Sequence, residues 1–360
     1  KKENTVFLTG ATGFFGAHLL KELLDQGKTQ IICLVRNGDK KRLEDVLSWY
    51  FGAGWTAGIR SRIRVAAGDL SLPCLGMEER EWKALADEVD GIYHSAADVR
   101  HYAADAGEFM NTNVTGTETM IALSLQADAV LHYISTASIS GDFLKDEPEK
   151  QMVFTEDDFY IGQNWEDNIY IRSKFLAEAC IYKAMEEKGL NARVYRLGRI
   201  TGRCTDHVFQ RNPESNAAYL MMRAVRALGA ITESMSLLPV DLTPVDWCAA
   251  AVAALSGSDR TALHLLNPQP PSMKEVAQAL VPDLVIVPDE SYGTLLQERM
   301  NEENRDILAP LLDYYNRTGI GESRIQVDCS KTLETFKKEG FGWEIPPAAR
   351  LIEGFSGLFT

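Results

Sequence analysis

The sequence predicts an α/β protein with a Rossmann-like, doubly wound parallel sheet and a smaller, mostly helical C-terminal domain. Three observations lead to this prediction. Apolar strand runs alternate with helical patterns up to about Gly198. A glycine-rich turn joins the first strand to the first helix, as in nucleotide-binding sheets. Beyond Gly198 the alternation weakens, and the proline cluster Pro268, Pro270 and Pro271 marks a further boundary.

Six strands are predicted before that point, at residues 5–9, 30–35, 63–67, 91–94, 129–135 and 192–197. A further strand is predicted at 262–266 and one at 284–287. A chain of 360 residues with 45% hydrophobic residues is long enough to bury a sizeable core. We expect one large domain or two coupled domains.

The glycine-rich turn has the spacing Gly-x-x-Gly-x-x-Gly and lies between a strand and a helix. Gly10 permits a tight turn, Gly13 lets the backbone approach a pyrophosphate, and Gly16 leaves room for the helix to pack on the strand. The free N–H groups of the helix N-terminus can bind phosphates. A structural turn without a ligand is the alternative. We expect a nicotinamide cofactor in contact with Gly10, Thr12, Gly13, Phe14, Phe15 and Gly16.

The residue after the second strand indicates which cofactor is bound. An acidic residue there would bind the ribose 2′-OH of NAD, whereas this chain has Arg36. A guanidinium favours the 2′-phosphate of NADPH, and Arg42 is the predicted second contact because its planar fork suits phosphate. A solvated helix start is the alternative for the neighbouring lysines, Lys40 and Lys41.

Two further strand ends carry predicted cofactor contacts. Asp69 follows the third strand, where its carboxylate could accept a hydrogen bond from an adenine amino group, although a structural turn explains it equally well. Leu70, the next residue in the sequence, is also predicted to contact the cofactor. After the fourth strand, small residues would let the chain pass close to the cofactor: Ser95, Ala96 and Ala97.

The predicted chemistry lies on a helix after the fifth strand. Tyr170 and Lys174 are four residues apart and therefore share one face of that helix. A phenol is a poor acid–base catalyst at neutral pH unless a cation lowers its pKa, and Lys174 could supply that cation and also bind the nicotinamide ribose. Thr136, at the end of the fifth strand, is the predicted third catalytic residue, with Ser135 and Ser138 as rivals. An exposed amphipathic helix is the alternative for the Tyr-x-x-x-Lys pair.

Composition excludes several classes of protein. The formal charge of -14 argues against nucleic acid or an anionic membrane as a partner. The six cysteines lack Cys-x-x-Cys spacing, so we expect reduced thiols rather than disulfides or a metal site. No apolar run is long enough to span a bilayer, and we expect no signal peptide. A cytoplasmic location is expected, and the start of the first strand near Lys1 hints at a domain cut from a longer polypeptide.

Taken in order, these motifs resemble the extended short-chain dehydrogenase/reductases, and specifically the thioester reductases. That family comprises terminal reductase domains of nonribosomal peptide synthetases, with relatives in aminoadipate reductase and carboxylic acid reductase. The similarity covers about the first 200 residues, in segments 6–20, 33–36, 68–70, 92–97, 113–117, 134–138, 170–174 and 196–202, with a helical insertion at 43–62. The chain departs from the family at Phe15, where leucine is usual, and at Ser95, where asparagine or glycine is common.

The resemblance implies a function. It implies hydride transfer from NADPH to a thioester on the phosphopantetheine arm of a carrier protein, with release of an aldehyde and possible further reduction to an alcohol. Relatives that perform redox-free cyclisation lack the tyrosine that this chain has as Tyr170. The alternatives are a free-standing acyl thioester reductase, a sugar-nucleotide-modifying enzyme of the same superfamily, and a non-catalytic NADP-sensing protein.

The sequence also predicts how the chain divides into domains. Residues 1–200 are expected to form the NADP-binding domain, completed by about 240–267. Residues 201–239 and 268–360 are expected to form the domain that faces the substrate and its carrier. The domain is expected to be monomeric, with a carrier protein as its partner and with no nucleic acid or membrane partner.

Overall fold

The structure, a computed structural model, describes residues 4–27, 30–96, 110–318, 323–344 and 346–358. The strands in chain order are β1 Thr5–Thr9, β2 Gln30–Val35, β3 Ile63–Ala67, β4 Gly91–His94, β5 Val130–Thr136, β6 Met152–Phe154, β7 Ala192–Leu197, β8 Ile200–Thr201, β9 Ala230–Thr232, β10 Thr243–Pro244, β11 Ala262–Leu265, β12 Val285–Val287 and β13 Ile325–Val327.

The α-helices span Phe14–Asp25, Lys40–Phe51, Ala53–Ile59, Glu79–Glu88, Gly116–Ala127, Ile169–Lys188, Ala217–Leu228, Glu233–Leu237, Val245–Ala254, Met273–Leu280, Asp289–Arg299, Arg305–Thr318, Ser330–Glu339 and Ala348–Ser356. A π-helical turn, Asn111–Thr115, precedes the helix that starts at Gly116. The predicted helical insertion at 43–62 is observed as two helices and a short 3₁₀ turn that ends at Arg62.

Seven parallel strands form the main sheet, in the order β11-β7-β5-β4-β1-β2-β3. The chain runs outward from β1 in one direction through β2 and β3, and in the other through β4, β5 and β7. The order of the strands therefore reverses at β1, and ligands of such sheets bind beyond the carboxyl ends of the strands at this point. The predicted fold class is confirmed.

Apart from the edge strand β3, the strands of the main sheet are largely buried, as expected where helices cover both faces. Phe7, Ile32, Ile92, Leu131 and Val194 are fully buried in one core cluster. The continuous apolar runs in the sequence correspond to these doubly covered strands. The fifth strand is shifted by one residue from its prediction, so that Thr136 ends the strand itself.

The chain divides into two compact units. The first contains Lys1–Leu197, Cys248–Leu265 and Ile325–Gly342, and the second contains Gly198–Trp247, Leu266–Arg324 and Trp343–Thr360. This partition differs from the predicted one at 325–342, which we expected in the substrate-facing domain, and at 240–247, which we expected in the NADP-binding domain. The reason at 325–342 is a set of long-range contacts: β13 pairs in parallel with β6, and the Thr332 hydroxyl accepts a hydrogen bond from the His264 backbone N–H at 2.8 Å.

The second unit is mostly helical, with two small two-stranded sheets. One pairs β8 with β10, and the other pairs β9 with β12. Within this unit, helix Ala217–Leu228 packs against helix Arg305–Thr318. Among the described residues of the whole chain, no helix combines the length and apolarity required to cross a membrane.

Candidate active site

The glycine-rich turn after β1 is packed too closely for side chains at two positions. Gly10 has φ +81°, and a Cβ there would lie 2.7 Å from the Ala96 backbone nitrogen. A Cβ on Gly16 would lie 2.0 Å from the Gly10 carbonyl oxygen. Gly16 is therefore required by the turn itself, whereas we expected it to make room for the helix to pack on the strand.

The helix that follows the turn presents a helix N-terminus suited to an anion. Gly13 is its exposed N-cap residue, and in the described part of the chain no side chain caps the helix and no acidic residue lies in its first turn. The partial positive charge of the helix N-terminus is thus not offset locally. Together with the two crowded glycines, this geometry fits the diphosphate of a dinucleotide.

The other side chains of the turn differ in their surroundings. Thr12 and Phe15 are partly buried. The Phe14 ring packs 5.2 Å from the ring of His18 and 5.9 Å from that of Tyr50. The Phe14 side chain therefore joins the turn to the insertion helix Lys40–Phe51.

Arg36 lies directly after β2, as predicted, and is exposed. Its Nε is 3.2 Å from an Asp69 carboxylate oxygen, so the two predicted cofactor contacts form an ion pair with each other. Asp69 also accepts hydrogen bonds from the backbone N–H and hydroxyl of Ser71, at 2.9 and 2.7 Å. These bonds and Arg36 lower the pKa of Asp69 below its usual value. Asp69 thus forms the structural turn that the sequence analysis left open, with its adenine contact still a prediction.

Arg42 lies in the first turn of helix Lys40–Phe51 and is exposed. Its backbone N–H donates to the carboxylate of the N-cap residue Asp39 at 3.0 Å. The helix start that was the alternative for Lys40 and Lys41 is therefore present. A role for the Arg42 guanidinium in binding phosphate stays a prediction.

The remaining predicted cofactor contacts lie beside β1 and β3. Leu70 is buried in the main core, where a Cβ on Gly116 would lie 3.3 Å from its side chain, so only its backbone is available to a ligand. Ser95 and Ala96 are partly buried after β4, and the Ala96 N–H donates to the Thr9 hydroxyl at 3.1 Å. Ala97 lies outside the described residues.

The predicted catalytic side chains meet at the carboxyl end of β5. Helix Ile169–Lys188 starts there because the Asn168 side chain caps it, accepting from the N–H groups of Tyr170 and Ile171 at 2.9 and 3.1 Å. Tyr170 is consequently in the first turn, facing the end of the sheet. Its hydroxyl is hydrogen-bonded to the hydroxyl of Thr136, the last residue of β5.

The phenol of Tyr170 does not have the lowered pKa that we expected from Lys174. Burial raises its pKa from 10.0 to about 12, and the hydrogen bond with Thr136 is the contribution that lowers it. The Lys174 ammonium instead donates to the Ile134 carbonyl oxygen at 2.8 Å and lies 4.9 Å from the centre of the Tyr133 ring. Tyr170 is therefore a proton donor at neutral pH.

Lys174 is buried, with an exposed fraction of 4%. Burial lowers its pKa from 10.5 to about 8, and Glu178, one helical turn further on, opposes this shift. The ammonium form still predominates at neutral pH. It places a buried positive charge against β5, at the carbonyl two residues before Thr136, in a setting where water screens it little.

The two rival hydroxyls have other roles. Ser135 is buried and donates to the Glu178 carboxylate, whereas Ser138 is exposed and its backbone N–H donates to the Thr136 hydroxyl at 3.2 Å. Glu178 in turn binds Arg196 of β7 at 2.9 Å, and both side chains are fully buried. This ion pair was not predicted from the sequence; its signal was Arg196, the second of two arginines in β7 and the one that lies in its buried part.

Comparison with known proteins agrees with this geometry. Residues 8–252 match the model of an NAD-binding family described as "Male sterility protein". A linear gramicidin synthase of Brevibacillus parabrevis is 30% identical over 282 residues, which cover 76% of this chain and 5% of that protein. The chain thus spans about one twentieth of the length of this curated relative.

Two solved structures are similar over almost the whole chain. A thiolation-reductase di-domain from an archaeal nonribosomal peptide synthetase has a TM-score of 0.84 and 28% identity, covering 99% of this chain and 75% of that one. The terminal R domain from the myxalamid PKS-NRPS pathway has a TM-score of 0.82 and 26% identity, covering 99% and 90%. The chain therefore belongs to the NAD-binding family of male sterility proteins and is an oxidoreductase of the reductase-domain type found in nonribosomal peptide synthetases.

Proposed function

We propose that this domain reduces an acyl or peptidyl thioester, bound to a carrier protein, and releases it as an aldehyde at the expense of NADPH. The observation that carries the proposal is the hydrogen-bonded hydroxyl pair of Tyr170 and Thr136 at the end of β5, the strand to whose Ile134 carbonyl the buried Lys174 ammonium donates. This group lies at the same edge of the sheet as the glycine-rich turn, where open α/β sheets bind their ligands.

The chain's own residues account for the choice of cofactor. The uncapped helix N-terminus at Gly13 would hold the diphosphate, and the exposed guanidinium of Arg36 would bind the 2′-phosphate. Arg42 and the backbone at Asp69 and Leu70 would complete the part of the site that binds the adenosine of NADPH. When bound, NADPH supplies the hydride.

The carbonyl oxygen of the thioester would lie against the hydroxyls of Tyr170 and Thr136. As hydride reaches the carbonyl carbon, negative charge develops on this oxygen, and preorganised O–H donors stabilise it. Because its pKa is raised, Tyr170 carries the proton that the oxygen needs. The Thr136 hydroxyl, whose hydrogen bond lowers the pKa of Tyr170, stabilises the tyrosinate that this transfer leaves behind.

The product of this step is a hemithioacetal, which Tyr170 can then break down. The tyrosinate takes back the hydroxyl proton, the carbonyl re-forms, and the carbon–sulfur bond breaks. The thiolate of the carrier arm leaves and takes a proton from solvent. In sum, one thioester, one NADPH and one proton give one aldehyde, one thiol and one NADP⁺. A second hydride transfer to the aldehyde would give an alcohol.

The carrier partner is supported by the relatives. One similar structure is a thiolation-reductase di-domain, and the gramicidin synthase is about twenty times longer than the matched region. Tethering the acyl chain to a docked carrier raises its effective concentration at the site. A thioester on a carrier is therefore a better substrate than the same thioester free in solution.

The test is NADPH oxidation with an acyl-pantetheine thioester, run beside the free acid and a nucleotide sugar. We expect turnover with the thioester and none with the other two compounds. Oxidation with the nucleotide sugar alone would support the sugar-modifying alternative. Tight NADPH binding without turnover on any compound would support the NADP-sensing alternative.

A further inference from the structure

A network of five hydrogen bonds, four of them buried and the last partly buried, connects the glycine-rich turn to the catalytic helix. It begins at Thr9, the last residue of β1, and ends at the backbone carbonyl of Tyr170. The five bonds are Thr9 Oγ1 to His94 Nδ1 (2.8 Å), His94 Nε2 to Thr117 Oγ1 (3.1 Å), Thr117 Oγ1 to the Asn113 carbonyl oxygen (2.7 Å), Asn113 Nδ2 to Ser173 Oγ (2.9 Å) and Ser173 Oγ to the Tyr170 carbonyl oxygen (2.8 Å).

The donor and acceptor groups fix the direction of the hydrogen bonds around Thr117 and His94 in this network. Thr117 donates its hydroxyl proton to the Asn113 carbonyl, so its oxygen must accept from His94 Nε2–H. Nδ1 of His94 then carries no proton and accepts from the Thr9 hydroxyl. The Thr9 oxygen can in turn accept from the Ala96 N–H at 3.1 Å. One tautomer of His94 therefore gives a partner to both ring nitrogens and to the hydroxyls of Thr9 and Thr117.

The surroundings of His94 keep the imidazole in the neutral form that this arrangement needs. His94 is 1% exposed, and burial together with the nearby Lys174 charge lowers its pKa to about 3. A protonated ring would have two donors and could no longer accept from Thr9. A glutamine side chain also offers one acceptor and one donor group, whereas a leucine side chain offers neither.

We propose that His94 is a positioning residue that couples the glycine-rich turn to the first turn of helix Ile169–Lys188. Thr9 and His94 are register partners on neighbouring strands, and the Thr9 hydroxyl also holds Ala96, against which Gly10 packs. At the other end, Ser173 holds the backbone of Tyr170 and is adjacent to Lys174. The cofactor turn and the catalytic residues are thus set by one connected network. This inference rests on the proposed function.

A purely structural role makes a different prediction. Buried polar groups are usually hydrogen-bonded, and removing one partner destabilises the fold whether or not a site is nearby. Stability alone cannot separate the two roles. NADPH affinity measured in combined variants can, because only a coupled network makes the effect of a change at Ser173 depend on the residue at Thr9.

The experiment compares His94→Gln with His94→Leu. For each variant, the dissociation constant of NADPH is measured by fluorescence and the melting temperature by circular dichroism. We expect His94→Leu to weaken NADPH binding about tenfold, since couplings between sites are typically about 5- to 150-fold, and His94→Gln to restore most of the affinity. Unchanged NADPH affinity in a folded His94→Leu protein would overturn the proposal.

A double-mutant cycle keeps the proposal testable if His94→Leu does not fold. Thr9→Val and Ser173→Ala remove hydroxyls at the two ends of the network. We expect each substitution to raise the dissociation constant of NADPH. In the double variant, the fold-increase should be smaller than the product of the two single fold-increases. Strictly multiplicative effects, or no effect of Ser173→Ala, would overturn the coupling.

Ser124→Ala is the matched control. Ser124 is also a buried serine of the same unit, and its hydroxyl donates to the Ala129 carbonyl at 2.6 Å, outside the network. It should lower the melting temperature and leave NADPH affinity unchanged. Because NADPH binding is measured without a thioester, failure of the coupling is distinguishable from failure of the proposed thioester reduction.

Discussion

The hydroxyl groups of Tyr170 and Thr136 are hydrogen-bonded to each other where helix Ile169–Lys188 meets the end of β5. This contact opposes the effect of burial, which raises the pKa of Tyr170 to about 12. The phenol is therefore kept as a proton donor at neutral pH, with a second hydroxyl beside it. Such a pair suits an oxygen on which negative charge develops.

The Tyr170→Phe variant tests the proton donor directly. It removes one hydroxyl and keeps the ring, so we expect NADPH binding close to normal and turnover reduced by about 10² or more. Thr136→Ala should chiefly reduce turnover, and Thr136→Ser should recover much of it because the hydroxyl returns. If Tyr170→Phe kept most of its activity in a thioester assay, the assignment of Tyr170 would be wrong.

Lys174 predicts a loss of activity in mildly alkaline solution. Its pKa is lowered to about 8, so the ammonium form is present below that pH and is lost as the pH rises through it. We expect kcat/KM to fall above about pH 8 while Tyr170 stays protonated, since kcat/KM reports the free enzyme. In Lys174→Arg the guanidinium keeps its charge, so kcat/KM for any residual activity should not fall above about pH 8. A profile that stays flat to pH 10 in the wild type would contradict the prediction.

Arg36 predicts the preference between the two nicotinamide cofactors. Arg36→Ala should weaken NADPH by about 1.5–3 kcal/mol and NADH far less, because a hydrogen bond to a charged group is lost only with the 2′-phosphate. Arg64→Ala is the matched control, since Arg64 is a surface arginine paired with Glu88 at 2.5 Å. The measurement is the dissociation constant of NADPH and of NADH for the wild type and both variants. Equal losses for NADPH and NADH in Arg36→Ala would show that Arg36 does not bind the 2′-phosphate.

The buried pair of Glu178 and Arg196 predicts a large effect on stability. Both side chains have 0% exposure, so Glu178→Gln leaves an uncompensated buried charge and should cost about 3–5 kcal/mol. The double variant Glu178→Gln/Arg196→Met should lose less than the sum of the single changes. Urea unfolding measures these free energies, with Arg60→Ala, at a surface pair with Glu44, expected within about 1 kcal/mol of wild type. If Glu178→Gln lowered the free energy of unfolding by only about 1 kcal/mol, the prediction would be wrong.

The sequence was sufficient to predict the sheet and the helix that carries Tyr170 and Lys174. Both follow from local patterns: apolar runs for doubly covered strands, and spacing of four for one face of a helix. The partners of these residues were harder to predict because they are distant in the chain. Lys174 binds the Ile134 carbonyl, which carries no side-chain signal.

The differences elsewhere have the same cause. Arg36 was expected to face a ligand, and the structure adds its pairing with Asp69, 33 positions further along the chain. Residues 325–342 were expected in the C-terminal domain, yet β13 pairs with β6 of the first unit. A strand of three residues, Ile325–Val327, is too short for its pattern to indicate which strand it joins.

The most direct test of the central claim is the stoichiometry of release from a carrier. A thioester of one acyl group is prepared on a carrier protein, on pantetheine and on a simple thiol, and each is incubated with NADPH. Aldehyde, free thiol and NADP⁺ are then measured together. We predict equal amounts of the three products, or two NADP⁺ for each alcohol formed, with the carrier-bound substrate reacting fastest. Release of free thiol from the carrier without NADPH oxidation would contradict the account.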